Sequence, residues 1–183
     1  MNKTAFISLL RGINVSGQKL VKMDRLRKSF EELGFEQVRT YIQSGNVVFE
    51  APKSDPAKLS KTIEGKILGD FGFEVSVVTL TAQEMGEAIK KNPFLKEKKI
   101  DAARLYVTFF SESPRASALK TLRALDAGPD RLHHDGKAVY LHCPNGYGRS
   151  KLSNNLLEKA LAIKATTRNW QTVNTLYRIA ADR

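Results

Sequence analysis

The chain is poor in the residues that build covalent or metal-bound frameworks. It has one cysteine, Cys143, among 183 residues; alone it forms no internal disulfide and no zinc site, and it suits a reducing compartment. The three histidines, His133, His134 and His142, lack metal-ligand spacing to a carboxylate or to Cys143, so neither a metal nor a cofactor is expected. Long apolar runs are also missing. Lys3 precedes only Thr4 to Leu10 before Arg11 and Gly12, too short for a membrane span or a secretory core. A cytoplasmic protein without a membrane partner is the expectation. No Gly-x-Ser-x-Gly, Gly-x-Gly-x-x-Gly or Walker pattern occurs, which removes the common signatures of hydrolases, dinucleotide enzymes and nucleotide hydrolysis.

Acidic residues are scarce as well: 19 against 30 Lys and Arg, a net charge of +11. Such a balance suits a polyanionic partner, a nucleic acid or a phosphorylated metabolite, or serves solubility alone. The excess is greatest from 145 to 183, where seven basic residues face two acidic ones. What the chain does have is core material, 42% apolar residues including nine Phe, enough to exclude disorder.

Periodicity gives an α+β protein. Thr4 to Leu10 reads as a buried strand. A helix follows with Asp24 as N-cap, Leu26, Phe30 and Leu33 on one face and Gly34 at its end. Val38 to Ile42 and Asn46 to Glu50 form a hairpin around Gln43-Ser44-Gly45. Asp55-Pro56 starts a helix bearing Leu59, Ile63, Ile67 and Phe71, and Glu74 to Leu80 is a strand. Thr81 and Glu84 then make a capping box for a further helix.

The order repeats. A strand at Leu105 to Phe110 leads to a helix from Ser113-Pro114, strands at Arg131 to His134 and Ala138 to His142, a helix at Ser153 to Leu161 and a strand near Ile163 to Thr166. A last helix runs from Asn169 or Trp170 to Ala181, with Trp170 in the core. Two ferredoxin-like β-α-β-β-α-β halves result, a topological duplication with extra helices after each half. The expected division is 1–93 and 94–183, with a linker in the lysine-rich stretch Lys90 to Lys99. Gly45 to Phe49 aligns with Gly136 to Tyr140.

Candidate ligand-binding residues gather in four places. Arg11, Asn14 and Lys22 lie after the first strand, where a guanidinium, an amide and an ammonium could hold a phosphate or carboxylate; a plain surface loop is the alternative. Tyr41, Gln43, Ser44 and Asn46 crowd one hairpin, which needs such residues for its turn in any case. Asn145 to Lys151 is a glycine-rich turn running toward a helix start, where amide N–H groups and the helix dipole attract anions; Arg149 and Lys151 support that role, against a simple capped turn. Arg168 and Asn169 lie in Thr166-Thr167-Arg168-Asn169-Trp170, where Asn169 also suits a helix cap.

Leu9-Leu10-Arg11-Gly12-Ile13-Asn14-Val15, Glu32-Leu33-Gly34-Phe35, Val38 to Phe49, Asn92-Pro93-Phe94 and Thr166 to Trp170 together resemble the uncharacterised bacterial family called domain of unknown function 1697. The resemblance spans essentially the whole chain. It implies a fold related to ferredoxin-like halves and brings no activity. It does imply that Arg11, Asn14, Gln43, Ser44, Asn46, Arg168 and Asn169 belong to shared motifs, either a ligand site or a polar network that locks the two halves together. The expected function is therefore binding of a phosphorylated small molecule or nucleic-acid segment. An enzyme acting on a small anionic substrate between the halves is the alternative, with Tyr41 or Ser44 near Arg11 but no activating base in the motifs. A protein-interaction scaffold is the third reading.

Overall fold

The computed structural model describes residues 3–182. It contains eight strands and six α-helices: β1 (Lys3–Leu10), α1 (Met23–Glu32), β2 (Glu36–Tyr41), β3 (Asn46–Pro52), α2 (Pro56–Phe71), β4 (Val77–Thr81), α3 (Ala82–Lys90), β5 (Leu105–Phe110), α4 (Ala116–Arg123), β6 (Arg131–Asp135), β7 (Ala138–His142), α5 (Asn154–Leu161), β8 (Ala165–Asn169) and α6 (Trp170–Ala181). The strands form two antiparallel four-stranded sheets, ordered β2-β3-β1-β4 and β6-β7-β5-β8. This is the expected α+β duplication: β-α-β-β-α-β twice, each copy followed by a helix. The chain divides into two compact units, one running through Gly86 and regaining the chain from Leu176, the other Glu87–Thr175.

In the first unit, local chemistry explains most element ends. Asp55 caps α2 by accepting from Ala57 N–H at 2.9 Å, with Pro56 behind it and left-handed Gly72 at the far end. Thr81 and Glu84 exchange the two bonds of a capping box at the start of α3. Helix α1 differs from expectation. It begins at Met23, Lys22 is its N-cap without a side-chain bond, and Asp24 lies in the first turn, where its charge still favours the helix dipole.

One sheet face packs on α1 and α2 through Phe6, Leu10, Val47, Phe49, Leu26, Phe30, Ile63 and Ile67. Phe35 stacks on Phe49 at 4.5 Å and Phe30 meets that ring edge-on at 5.4 Å; each such pair adds about 0.5–1.5 kcal/mol beyond burial. Strand alternation puts Ile7, Leu9, Val48, Val78 and Leu80 on the other face, and these too are buried.

In the second unit, Phe110, Leu122, Val139, Leu141, Leu157 and Leu161 form the core beneath α4 and α5. The lysine-rich stretch after α3 is not a free tether: Asn92 caps a single 3-10 turn, Pro93–Lys96, and Phe94 within it is buried. Strand β8 begins two residues later than expected and continues to Asn169, so Arg168 is a strand residue opposite Val107. Asn169 does cap α6, accepting from Thr172 N–H at 2.8 Å. Trp170 is only half-buried; Val173, Leu176 and Ala180 carry the apolar face of that helix.

The two halves correspond strand by strand, but one residue off the alignment that sequence suggests. Leu9 pairs with Asn46 and Phe109 with Ala138, so Asn46 matches Ala138, not Lys137. A slip of one residue exchanges the two faces of a strand; the alternation of buried side chains therefore settles the register where residue identity does not.

Candidate functional site

The loop after β1 and the β2–β3 hairpin are joined into one body by Asn14. Its Nδ2 donates to the carbonyls of Val21 and Gln43, both at 2.9 Å, and its Oδ1 accepts from Val21 N–H at 2.8 Å. Leu10 N–H donates to Gly45 O at 2.8 Å and Arg11 N–H to Ser76 O at 2.9 Å. Gly45 has φ +78°, and a Cβ there would lie 2.7 Å from Leu10 Cβ, so the hairpin turn requires glycine twice over, for conformation and for space. Asn46 is fully buried and donates to Tyr41 O and Ser44 Oγ. The structure thus unites Arg11, Asn14, Tyr41, Gln43, Ser44 and Asn46 at one end of the first sheet. The amides of Asn14 and Asn46 hold backbone and hydroxyl groups there. Lys22 is exposed at the start of α1.

The remaining candidates lie in the second unit. The glycine-rich turn does not run into a helix. It is one 3-10 turn, Tyr147–Arg149, separated from α5 by buried Leu152 and by Ser153, which caps the helix through Leu156 N–H. Three of its amides are used internally: Gly146 N–H bonds Cys143 O, Arg149 N–H bonds Gly146 O and Ser150 N–H bonds Tyr147 O. The turn therefore lacks the α-helix N-terminus whose dipole was part of the expected anion site. Lys151 pairs with Asp126 at 2.6 Å. Arg168 donates through Nη1 to Thr166 Oγ1 and Thr167 O, both at 2.9 Å. It shares a sheet face with Val107, and burial pushes its guanidinium down to about 10, Tyr147 partly opposing the shift.

Two features of this region are invisible in sequence. A hydroxyl chain runs beneath the turn: Tyr147 Oη donates to Thr167 Oγ1 at 3.2 Å, and Thr167 also meets Thr108 and Asn154 Oδ1, both at 2.7 Å. Above it, Tyr147 lies beside Tyr106 with ring centroids 5.3 Å apart. Arg104 reaches over the turn, its Nη1 3.3 Å from where a Gly146 Cβ would stand. Arg104 and Arg149 are both exposed, and neither is matched by an acidic side chain among the described residues. Sequence offers neither Arg104 nor Tyr106 as a candidate, because 42 positions separate Arg104 from Gly146; the pairing of Leu105 with His142 and the bond from Cys143 N–H to Arg104 O bring them to the turn.

Buried nucleophiles offer little chemistry here. Cys143 is fully buried and its thiol is pushed up to about 11 by desolvation, which keeps it protonated and unreactive at neutral pH. Among the described residues no group of three or more His, Cys, Asp or Glu could hold a metal, and no helix is long and apolar enough to cross a membrane.

The fold and these clusters define a duplicated ferredoxin-like α+β protein with a polar hub in one unit and an arginine–tyrosine surface in the other. The chain belongs to the family described as "Protein of unknown function (DUF1697)", whose model matches residues 3–140. The Thr166 to Trp170 block lies beyond the matched residues. The structure is similar to that of the conserved bacterial protein SP0830 from Streptococcus pneumoniae, with TM-score 0.78 and 24% identity over 98% of this chain and 99% of that one. That likeness shows the fold. No curated protein matches the sequence.

Proposed function

We propose that the protein binds a phosphate-bearing polyanion, a nucleic-acid segment, on the surface formed by Arg104, Tyr106, Tyr147 and Arg149. The observation that carries this reading is the pair of exposed guanidiniums flanking a half-buried tyrosine pair, neither matched by an acidic side chain among the described residues. Guanidinium groups suit phosphate oxygens, and aromatic faces suit bases. An open surface gains from releasing counterions along a polymer, whereas a small metabolite needs an enclosing site to bind tightly. The net charge of +11 adds long-range attraction. Tyr147 is held by its bond to Thr167, so little ordering cost falls on it when a ligand arrives.

Of the residues expected from sequence, Arg149 belongs to this site, and Arg168 adds a partly buried positive charge at the same end of the sheet. Arg11, Asn14, Tyr41, Gln43, Ser44 and Asn46 serve in this account as architecture of the first unit. Chromatography on heparin tests the assignment. Wild type should be retained well above physiological salt, and Arg104→Ala/Arg149→Ala should elute substantially earlier. Co-elution of the two proteins would remove this surface from consideration.

A further inference from the structure

We propose that the tip of the first unit, formed by Val15, Leu20 and Ile42, is a docking surface for an acidic, amphipathic segment of a partner protein. These three are among the exposed large apolar side chains of the chain, at 57%, 70% and 50% of full exposure. They are not scattered. Val15 adjoins Asn14 in the chain, Leu20 adjoins Val21, and Ile42 adjoins Gln43; Asn14 binds both Val21 and Gln43 through its side chain. The backbone segments that carry all three thus meet at one amide.

The backbone that presents them is costly. Asn14, Ser16, Lys19 and Ile42 all have positive φ, four of six such non-glycine residues described. Ile42 stands out because a β-branched side chain at φ +49° is a strained conformation. Strain held at an exposed β-branched residue points to a surface kept for recognition. The loop is also pre-formed: Asn14 N–H bonds Lys19 O, Gln18 N–H bonds Val15 O, and Lys19 Nζ bonds Glu74 O. A rigid apolar tip loses little freedom on binding.

Charge selects the occupant. Lys19 and Lys22 are exposed here and residues 11–22 hold no acid; the acidic residue shown beside them is Glu74, whose main-chain carbonyl accepts from Lys19. A second copy of this chain would set like charges against one another, whereas an amphipathic segment with leucines on one face and carboxylates on its flanks matches both features. This surface lies in a different unit from the arginine–tyrosine surface and does not depend on it.

The test uses the full chain and a fluorescein-labelled helical peptide of leucine and glutamate, with leucines at i, i+3, i+4 and i+7; the same peptide with lysine for glutamate and vesicles of phosphatidylglycerol are the comparisons. The glutamate peptide should bind and the lysine peptide should not. Val15→Ser/Leu20→Ser should weaken binding by about tenfold, the 1.4 kcal/mol scale of losing two apolar contacts. Ile42→Gly should weaken binding while raising the melting temperature, a combination that a merely structural tip would not give. The proposal is overturned if the glutamate peptide fails to bind, if both peptides bind alike, or if its binding is lost in Arg104→Ala/Arg149→Ala but kept in Val15→Ser/Leu20→Ser. It is also overturned if vesicles capture the wild type and not the serine variant.

Discussion

Asn14 shows how one residue type can satisfy two roles that sequence cannot separate. An asparagine amide both donates and accepts, which makes it a good ligand contact; the same property makes it a good internal brace. Its three bonds all go to main-chain groups, of Val21 and Gln43, and at φ 55° it occupies a conformation that asparagine tolerates better than most residues. Asn14→Ala therefore loses several bonds and gains strain, an expected cost of about 2–4 kcal/mol in urea unfolding. A loss below about 0.5 kcal/mol would mean the amide is not structural. The role was not legible beforehand because its partners are carbonyls and an amide, which every residue possesses. Arg104 illustrates the same limit: nothing in an exposed arginine announces that it will overlie a glycine 42 positions away.

At the scale of elements, what was legible was what is decided within a few residues. Asp55-Pro56 and Thr81 with Glu84 cap their helices as read, because donor and acceptor sit two or three positions apart. Helix α1 has its N-cap two positions ahead of the Asp24 that sequence suggests, because its start rests on packing of Leu26 and Phe30 instead of a side-chain cap. Strand β8 was placed too early because its Thr-Thr-Arg-Asn sequence alternates poorly, and its true span follows from pairing with β5.

Helices α1 and α2 are also tied by a polar bridge that sequence does not show. Ser29 donates to Asp70, and Lys66 reaches both Asp70 and Glu32. The Ser29 hydroxyl and then the Lys66 ammonium hold the Asp70 carboxyl below its usual range, against a smaller desolvation effect between them. A carboxylate with a depressed folded pKa stabilises at pH above its unfolded value and loses that contribution as pH falls through the folded value. Asp70→Asn should thus cost about 1 kcal/mol at pH 7, solvent screening keeping it small, and the gap from wild type should close as unfolding is repeated toward pH 3. An unchanged gap at acid pH would assign the loss to packing.

Across the whole molecule the duplication holds in topology while the two units have diverged in what they display. The buried hydroxyl pair Ser8–Thr79 of β1 and β4 recurs as Thr108–Thr167 of β5 and β8, at corresponding positions in the register. Around that shared pair one unit built an amide-braced tip and the other an arginine–tyrosine surface, at opposite ends of equivalent strands. The most direct test of the proposed function is the salt dependence of binding to a fluorescent single-stranded oligonucleotide, measured by anisotropy for wild type and for Arg104→Ala/Arg149→Ala. Each single-strand phosphate contact steepens the slope of log affinity against log salt by about 0.7, so the double variant should bind more weakly with a slope shallower by about 1.4. Equal affinity and equal slope for the two proteins would contradict the account.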